Sequence, residues 1–284
     1  MAESNKLYFW KSRSLNVSSS GKGTPVLVWV ILVLLLLIAG GGGAYYYFIW
    51  KPEQERLAQL EREKAARQQK IKSVEKFYQD SLTGGSIADV HKLLAQLHMV
   101  NDRLAMLGFS PKAMLCNSKD CSLSYQLDAG RIFTMTDIQV GGESYSPSFS
   151  QNSLDYTGIP SGLNNHPWLN DWKNKKPVDL PVCTDVLSYL STWNSLGGNY
   201  NEIALKGFPA SSVANDESAL KNAVMSFGML FANWTITIPS EMAMTKVSLL
   251  LQKQLFADAF IIKSIEFKEK STLVTGGLAC KKGN

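Results

Sequence analysis

Histidine is scarce in this chain: His91, His98 and His166 are the only three among 284 residues. They form no H-E-x-x-H arrangement. His91 and His98, one heptad apart, supply two ligands where zinc takes three or four from protein. Ordinary surface or helix-edge histidines are the simplest reading, and neither a metal nor any other cofactor is expected. No G-x-S-x-G elbow marks a hydrolase, and no Asp-x-Asp pair marks a metal-dependent glycosyltransferase. "SSSGKGT" at 18–24 holds a Gly-Lys pair, but a phosphate loop needs glycine five positions earlier, where Asn16 stands. The 29 basic residues face 24 acidic ones and are interleaved with them rather than with stacking aromatics, so nucleic acid is not an expected partner. These absences together point away from an enzyme.

Charge is missing altogether from Val26 to Trp50, a run of 25 residues that would extend about 37 Å as a helix. Twenty-five residues precede it, and it ends in Tyr45, Tyr46, Tyr47, Phe48 and Trp50, as an aromatic belt at a membrane interface does. A secretory signal has a shorter core beside the N-terminus. The run therefore reads as an uncleaved transmembrane helix, with cleavage near Ala44 in "IAGGGGA" as the alternative. Small residues at Ala39 with Gly43, and Gly40 with Ala44, would let another helix approach closely. Lysine and arginine flank both ends of the run, so the positive-inside rule does not fix its direction.

Cysteine is also sparse, but its placement is informative. All four, Cys116, Cys121, Cys183 and Cys280, follow the apolar run at spacings that match no zinc, thioredoxin-like or haem pattern. An even number without metal spacing suggests disulfides, which persist outside the cytoplasm. The expectation is a cytoplasmic tail at 1–25, a span at 26–50 and a periplasmic remainder. Four reduced, buried cysteines are the alternative. The expected bridges are Cys116 to Cys121, at the two ends of a tight turn, and Cys183 to Cys280.

Residues 51–82 carry the densest charge and read as a helical stalk. A heptad seam runs through Leu57, Leu60, Lys64, Arg67, Ile71, Val74 and Tyr78, apolar at both ends and basic in the middle. A weak coiled coil and a solvated single stalk both fit that pattern. "TGGS" at 83–86 breaks the helix, and Ser86 with Asp89 forms a capping box for another, whose apolar face runs from Ile87 to Leu107. "KAMLCNSKDCSLSYQL" then reads as a hairpin around "NSKD", completing a segment at 83–130. Residues 131–180, rich in Gly, Ser, Asn and Pro, read as an irregular excursion. Within it "WLNDWKNKK" mixes two tryptophans with three lysines and reads as a protein-contact loop.

From 181 to 284 the pattern is regular. A helix at 184–196 capped by Thr184, a strand at 201–208, a helix over 215–231, a strand at 233–239, a helix over 240–258 and a closing hairpin follow in order. With helices on one face of an antiparallel sheet, this is an α+β sandwich. A short tail, one span, a stalk and such a domain, above all "WTITIPSEMAMTKVSLLLQKQLFADAFIIKSIEFKEKSTLVTGGLAC", resemble the PilO and GspM family of inner-membrane assembly proteins. The excursion and the cysteines depart from a minimal member and suit a type IVb pilus variant better. The resemblance implies an α+β fold with an N-terminal transmembrane helix and stalk, then a periplasmic ferredoxin-like domain of helix-strand-strand repeats. It also implies a non-catalytic scaffold of a type IV pilus or type II secretion platform.

The expected partners are the membrane, copies of this chain or other bitopic assembly proteins, and a cytoplasmic assembly protein. The last would meet the tail at Leu7, Tyr8, Phe9 and Trp10, four apolar residues beside bases; resting on the inner leaflet is the other use for them. An anchored receptor module, or a scaffold of a type IV secretion system, is the competing functional class.

Overall fold

The computed structural model describes residues 25–197, 202–239, 247, 254–268 and 271–283, and these divide into two compact units meeting between Lys64 and Ala65. The first unit is helical. Helix α1, Pro25–Tyr45, has no acidic residue in its first turn and no basic one in its last. It is long and apolar enough to cross a membrane. A five-residue π-helical stretch, Tyr46–Trp50, joins it to α2, Lys51–Leu82. In that stretch the Tyr46 and Trp50 rings stack at 4.9 Å, and the Lys51 ammonium lies 5.2 Å from the Tyr47 ring centre.

The second unit begins within α2, whose last turns bury Val74, Tyr78, Ser81 and Leu82. The helix stops at the "TGGS" turn, which leans on a distant strand. Gly85 N–H donates to the Ile262 carbonyl at 2.8 Å, and Ile262 returns the bond at 2.9 Å. A Cβ on Gly84 would lie 2.8 Å from the Ile262 oxygen, so only glycine allows this approach. Helix α3, Ile87–Met106, then starts from the expected capping box: Ser86 Oγ accepts from Asp89 N–H, and the Asp89 carboxylate accepts from Ser86 N–H. Ile87, Val90, Leu93, Leu94, Leu97, Val100 and Leu104 are buried on one face that packs against the sheet.

That sheet has eight strands. In chain order they are β1 (Phe109–Cys116), β2 (Asp120–Leu127), β5 (Ser148–Ser150), β6 (Ser153–Pro160), β7 (Ala204–Ala210), β8 (Met229–Pro239), β9 (Phe260–Lys268) and β10 (Ser271–Lys281); β3 (Ile138–Val140) and β4 (Glu143–Tyr145) form a separate small hairpin. The spatial order is β5-β6-β2-β1-β9-β10-β8-β7, with every pairing antiparallel. The protein is thus α+β, with one long apolar N-terminal helix and an antiparallel sheet. Further helices among the described residues are α4 (Pro167–Lys173), α5 (Cys183–Gly197) and α6 (Ala214–Leu220).

Several sequence expectations are corrected. Residues 131–180 are only partly irregular: they hold β3 to β6 and α4. Strand β6 buries Leu154, Tyr156 and Ile159, but its alternation is broken at Gly158, which has φ +72° beside a register shift against β2. Helix α5 begins before Thr184, the Val182 carbonyl accepting from Asp185 and Val186. The helix expected over 215–231 ends at Leu220, where Lys221 leaves the helical region at φ +48° and ψ −116°; further on, Phe227 and Met229 give their amides to the Tyr78 hydroxyl and lead into β8. Most of the helix expected over 240–258 lies outside the described residues; Val247 within it is helical and buried, and Ala257–Ala259 is a 3-10 turn.

Candidate functional site: a basic cleft between two helix ends

A polar and aromatic side-chain assembly at the margin of the core centres on the buried Tyr78 near the end of α2. Its ring stacks on Trp172 of α4, centroids 5.7 Å apart and planes 5° from parallel, and meets Phe227 edge-on at 5.6 Å. Its hydroxyl accepts from Phe227 N–H at 2.7 Å and is hydrogen-bonded to the Glu217 carboxylate of α6. Burial holds the phenol well above its usual pKa, and burial likewise raises that of Glu217. Glu217 Oε1 is buried without a partner. One turn earlier on α2, Ser73 Oγ donates to Asp216 at 2.9 Å. These contacts fix α6 against α2, while Trp172 Nε1 donates to the Met225 carbonyl at 3.0 Å and fixes α4 against residues 224–227.

Around this assembly opens a cleft of about 540 Å3 lined by Glu75, Trp172, Lys173, Lys175, Lys221, Ala223, Val224, Met225 and Ser226. Three lysines face one glutamate there. The described chain has three non-glycine residues at positive φ, and two of them are in this cleft: Lys175 at +55° and Lys221 at +48°. Each closes a helix. Lys175 N–H donates to the Trp172 carbonyl at the end of α4, and Lys221 N–H to the Glu217 carbonyl at the end of α6. Glycine is the usual occupant of such positions. Lysine there is held in a costly backbone conformation, on the order of 1 kcal/mol each.

Helix α4 is itself placed by His166, its N-cap, whose Nδ1 accepts from Trp168 N–H at 3.3 Å and whose backbone N–H reaches the Gly84 carbonyl at 3.0 Å. His166 is buried with Nε2 unpartnered. Burial pushes its pKa down to about 4. His91 is exposed, and His98 lies 3.7 Å from Asp102 on the surface of α3. Among the described residues no cluster of three metal-ligating side chains occurs.

The residues singled out in the sequence fall in several places. Cys116–Cys121 and Cys183–Cys280 are both disulfides. The heptad seam is divided: Val74 and Tyr78 are fully buried in the unit's own core and Ile71 packs against it, whereas Leu57 and Leu60 remain 50% and 46% exposed. Ala39, Gly40, Gly43 and Ala44 lie together in α1, and a side chain built on Gly40 or Gly43 would meet nothing within 4 Å. Leu7, Tyr8, Phe9 and Trp10 lie outside the described residues. "WLNDWKNKK" does line the cleft, but not by baring its rings: Trp168 is buried and Trp172 half-buried, and it is the lysines that are exposed. Sequence reasoning missed Lys221 and Glu217, which reach the site by folding alone, and gave Tyr78 to the wrong surface.

No family model, curated protein or solved structure matches this chain.

Proposed function

We propose that the protein is a bitopic, non-catalytic assembly scaffold of a bacterial inner membrane. Its tail would face the cytoplasm and residues from Lys51 onward the periplasm. One combination carries the reading: a helix of 21 residues without charge, about 31 Å long, in the same chain as a domain that holds all four cysteines in two disulfides. The length matches a bilayer's hydrocarbon core, and the bridges suit an oxidising compartment.

The strand order supports the likeness to the pilus and type II secretion assembly proteins. Counted from β7, the last four strands lie third-fourth-second-first. That is the order reached when the opening strand of a β-α-β-β-α-β ferredoxin-like unit is carried to its end. In such a rearranged unit the chain ends where α5 would otherwise follow β10. Here Cys183 at the start of α5 is bonded to Cys280 near the end of β10, and the Lys281 ammonium meets Asp179 at 2.8 Å across the same gap. The disulfide replaces a missing chain connection, an economical use of two cysteines for a domain whose role is to hold its shape.

Affinity purification of the full chain from membranes tests the reading. A bitopic membrane protein should copurify stoichiometrically, and a cytoplasmic partner should be lost on replacing Phe9 and Trp10 by alanine. Recovery of the chain as a lone monomer from gently solubilised membranes contradicts it.

A further inference from the structure

We infer that the cleft between the ends of α4 and α6 is a docking site for an acidic, extended peptide segment of a partner protein, which adds as a strand beside residues 224–226. This rests on the scaffold reading and names the chemistry of one of its partners.

Charge gives the sign of the ligand. Lys173, Lys175 and Lys221 come from two separate helix ends, and among the described residues none has an acid within ion-pair reach. Lysine at a helix end complements the helix dipole, and that suffices for Lys173. It does not call for lysine at the two positive-φ positions in particular, where glycine would relieve the strain. Two strained cations lining one cleft are the kind of backbone outlier that points to binding.

Backbone gives the shape. Val224 is extended, at φ −133° and ψ 142°. The segment is anchored on both flanks of Ser226: the Met225 carbonyl accepts from Trp172, and Phe227 N–H donates to Tyr78. Ser226 lies between these two anchored residues, outside any helix or strand. Among the described residues neither Ser226 group takes part in a backbone bond, and Ser226 lines the cleft. Main-chain groups without backbone partners, flanked by cations, suit a ligand that pairs through its own main chain and carries acidic side chains. The edge of β7, by contrast, is protected against such pairing by Pro209, by Lys206 and by a register break at Gly207, φ +86°.

The test uses the full chain in neutral detergent and a fluorescent decapeptide of alternating glutamate and valine. Saturable binding is expected, weakening as sodium chloride is raised. A decapeptide of alternating lysine and valine should not bind, and N-methylation at alternate residues of the acidic one should weaken it at least fivefold. The double variant Lys175→Gly, Lys221→Gly should bind at least tenfold more weakly while its melting temperature is held or raised, since glycine relieves both positive-φ positions. Lys173→Gln, which leaves the backbone alone, should weaken binding by a smaller factor.

Unchanged binding in the glycine variant, or equal binding of the N-methylated peptide, overturns the proposal. So does displacement by inorganic phosphate beyond that of sodium chloride at equal ionic strength, which would make the cleft a phosphate site. Partner copurification from the same preparation separates the two readings. No peptide binding with the bitopic partner retained removes the docking site and leaves the scaffold. Peptide binding in a chain that recovers no membrane partner removes the scaffold and leaves the site.

Discussion

Helix α2 has two stretches with the same kind of sequence and different fates. Up to Lys64 none of its residues is buried, although Leu57 and Leu60 hold heptad positions; beyond Ala65 the same heptad continues into Val74 and Tyr78, both fully buried. One seam thus has two fates. The later positions pack against the chain's own domain, and the earlier ones remain exposed. A periodic apolar pattern marks one face of a helix, not whether or by what that face is buried.

The largest effect that would sharpen this contrast is covalent. Replacing Cys183 and Cys280 by serine opens a loop of 97 residues and should cost the second unit about 4.7 kcal/mol in the chain-entropy treatment. Urea unfolding of the full chain measures it. The same change at Cys116 and Cys121, five residues apart, should cost about 2 kcal/mol. A larger loss at the short loop would contradict the role given to the long one.

Tyr78→Ala comes next. It removes a fully buried ring that stacks on Trp172 and a hydroxyl that holds two backbone amides, for about 4 kcal/mol. Tyr78→Phe keeps the ring and should cost about 1–2 kcal/mol. Both are read as shifts of the urea midpoint at constant slope.

His166 sets the acid response. Its pKa in the folded protein, about 4, lies below the unfolded value of 6.5, so between those limits the unfolded chain binds more protons. Stability is then full above pH 6.5 and declines as pH falls toward 4, by on the order of 3 kcal/mol in all. The raised pKa of Glu217 acts in the opposite sense, favouring the folded state as pH falls. The slope should therefore be compared between the native chain and His166→Asn, which should lose most of the decline. An unchanged slope would show that other groups carry it.

Leu57→Ala and Leu60→Ala should be smallest, within about 0.5 kcal/mol for unfolding of the second unit. Any effect on association between chains should appear only here. If they destabilise the unit as Val74→Ala does, the division of α2 is wrong.

What was legible in the sequence is what local chemistry dictates. The capping box at Ser86 and Asp89, the hairpin that brings Cys116 opposite Cys121 and the final β9–β10 pair each close within a few residues, so spacing alone indicates them. The pairing of β1 with β9 joins residues about 150 apart through backbone bonds, which no side-chain pattern announces. Strand β6 was hidden by its bulge at Gly158. The cleft was half legible: the tryptophans and lysines of 168–176 stood out, but Lys221 and the open amide of Ser226 join them only when Tyr78 pins residue 227. Tyr78 itself fits a coiled-coil seam and a domain core equally well by sequence.

The central claim is that the domain from Ala65 onward works outside the cytoplasm, tethered by an uncleaved α1. Fusing a phosphatase that is active only in the periplasm after Asn284, in cells making the full chain, tests it most directly. The account predicts high phosphatase activity in membrane-bound material whose N-terminal sequence is still that of residues 1–25. An inactive fusion, or a mature chain beginning near Ala44, would contradict it.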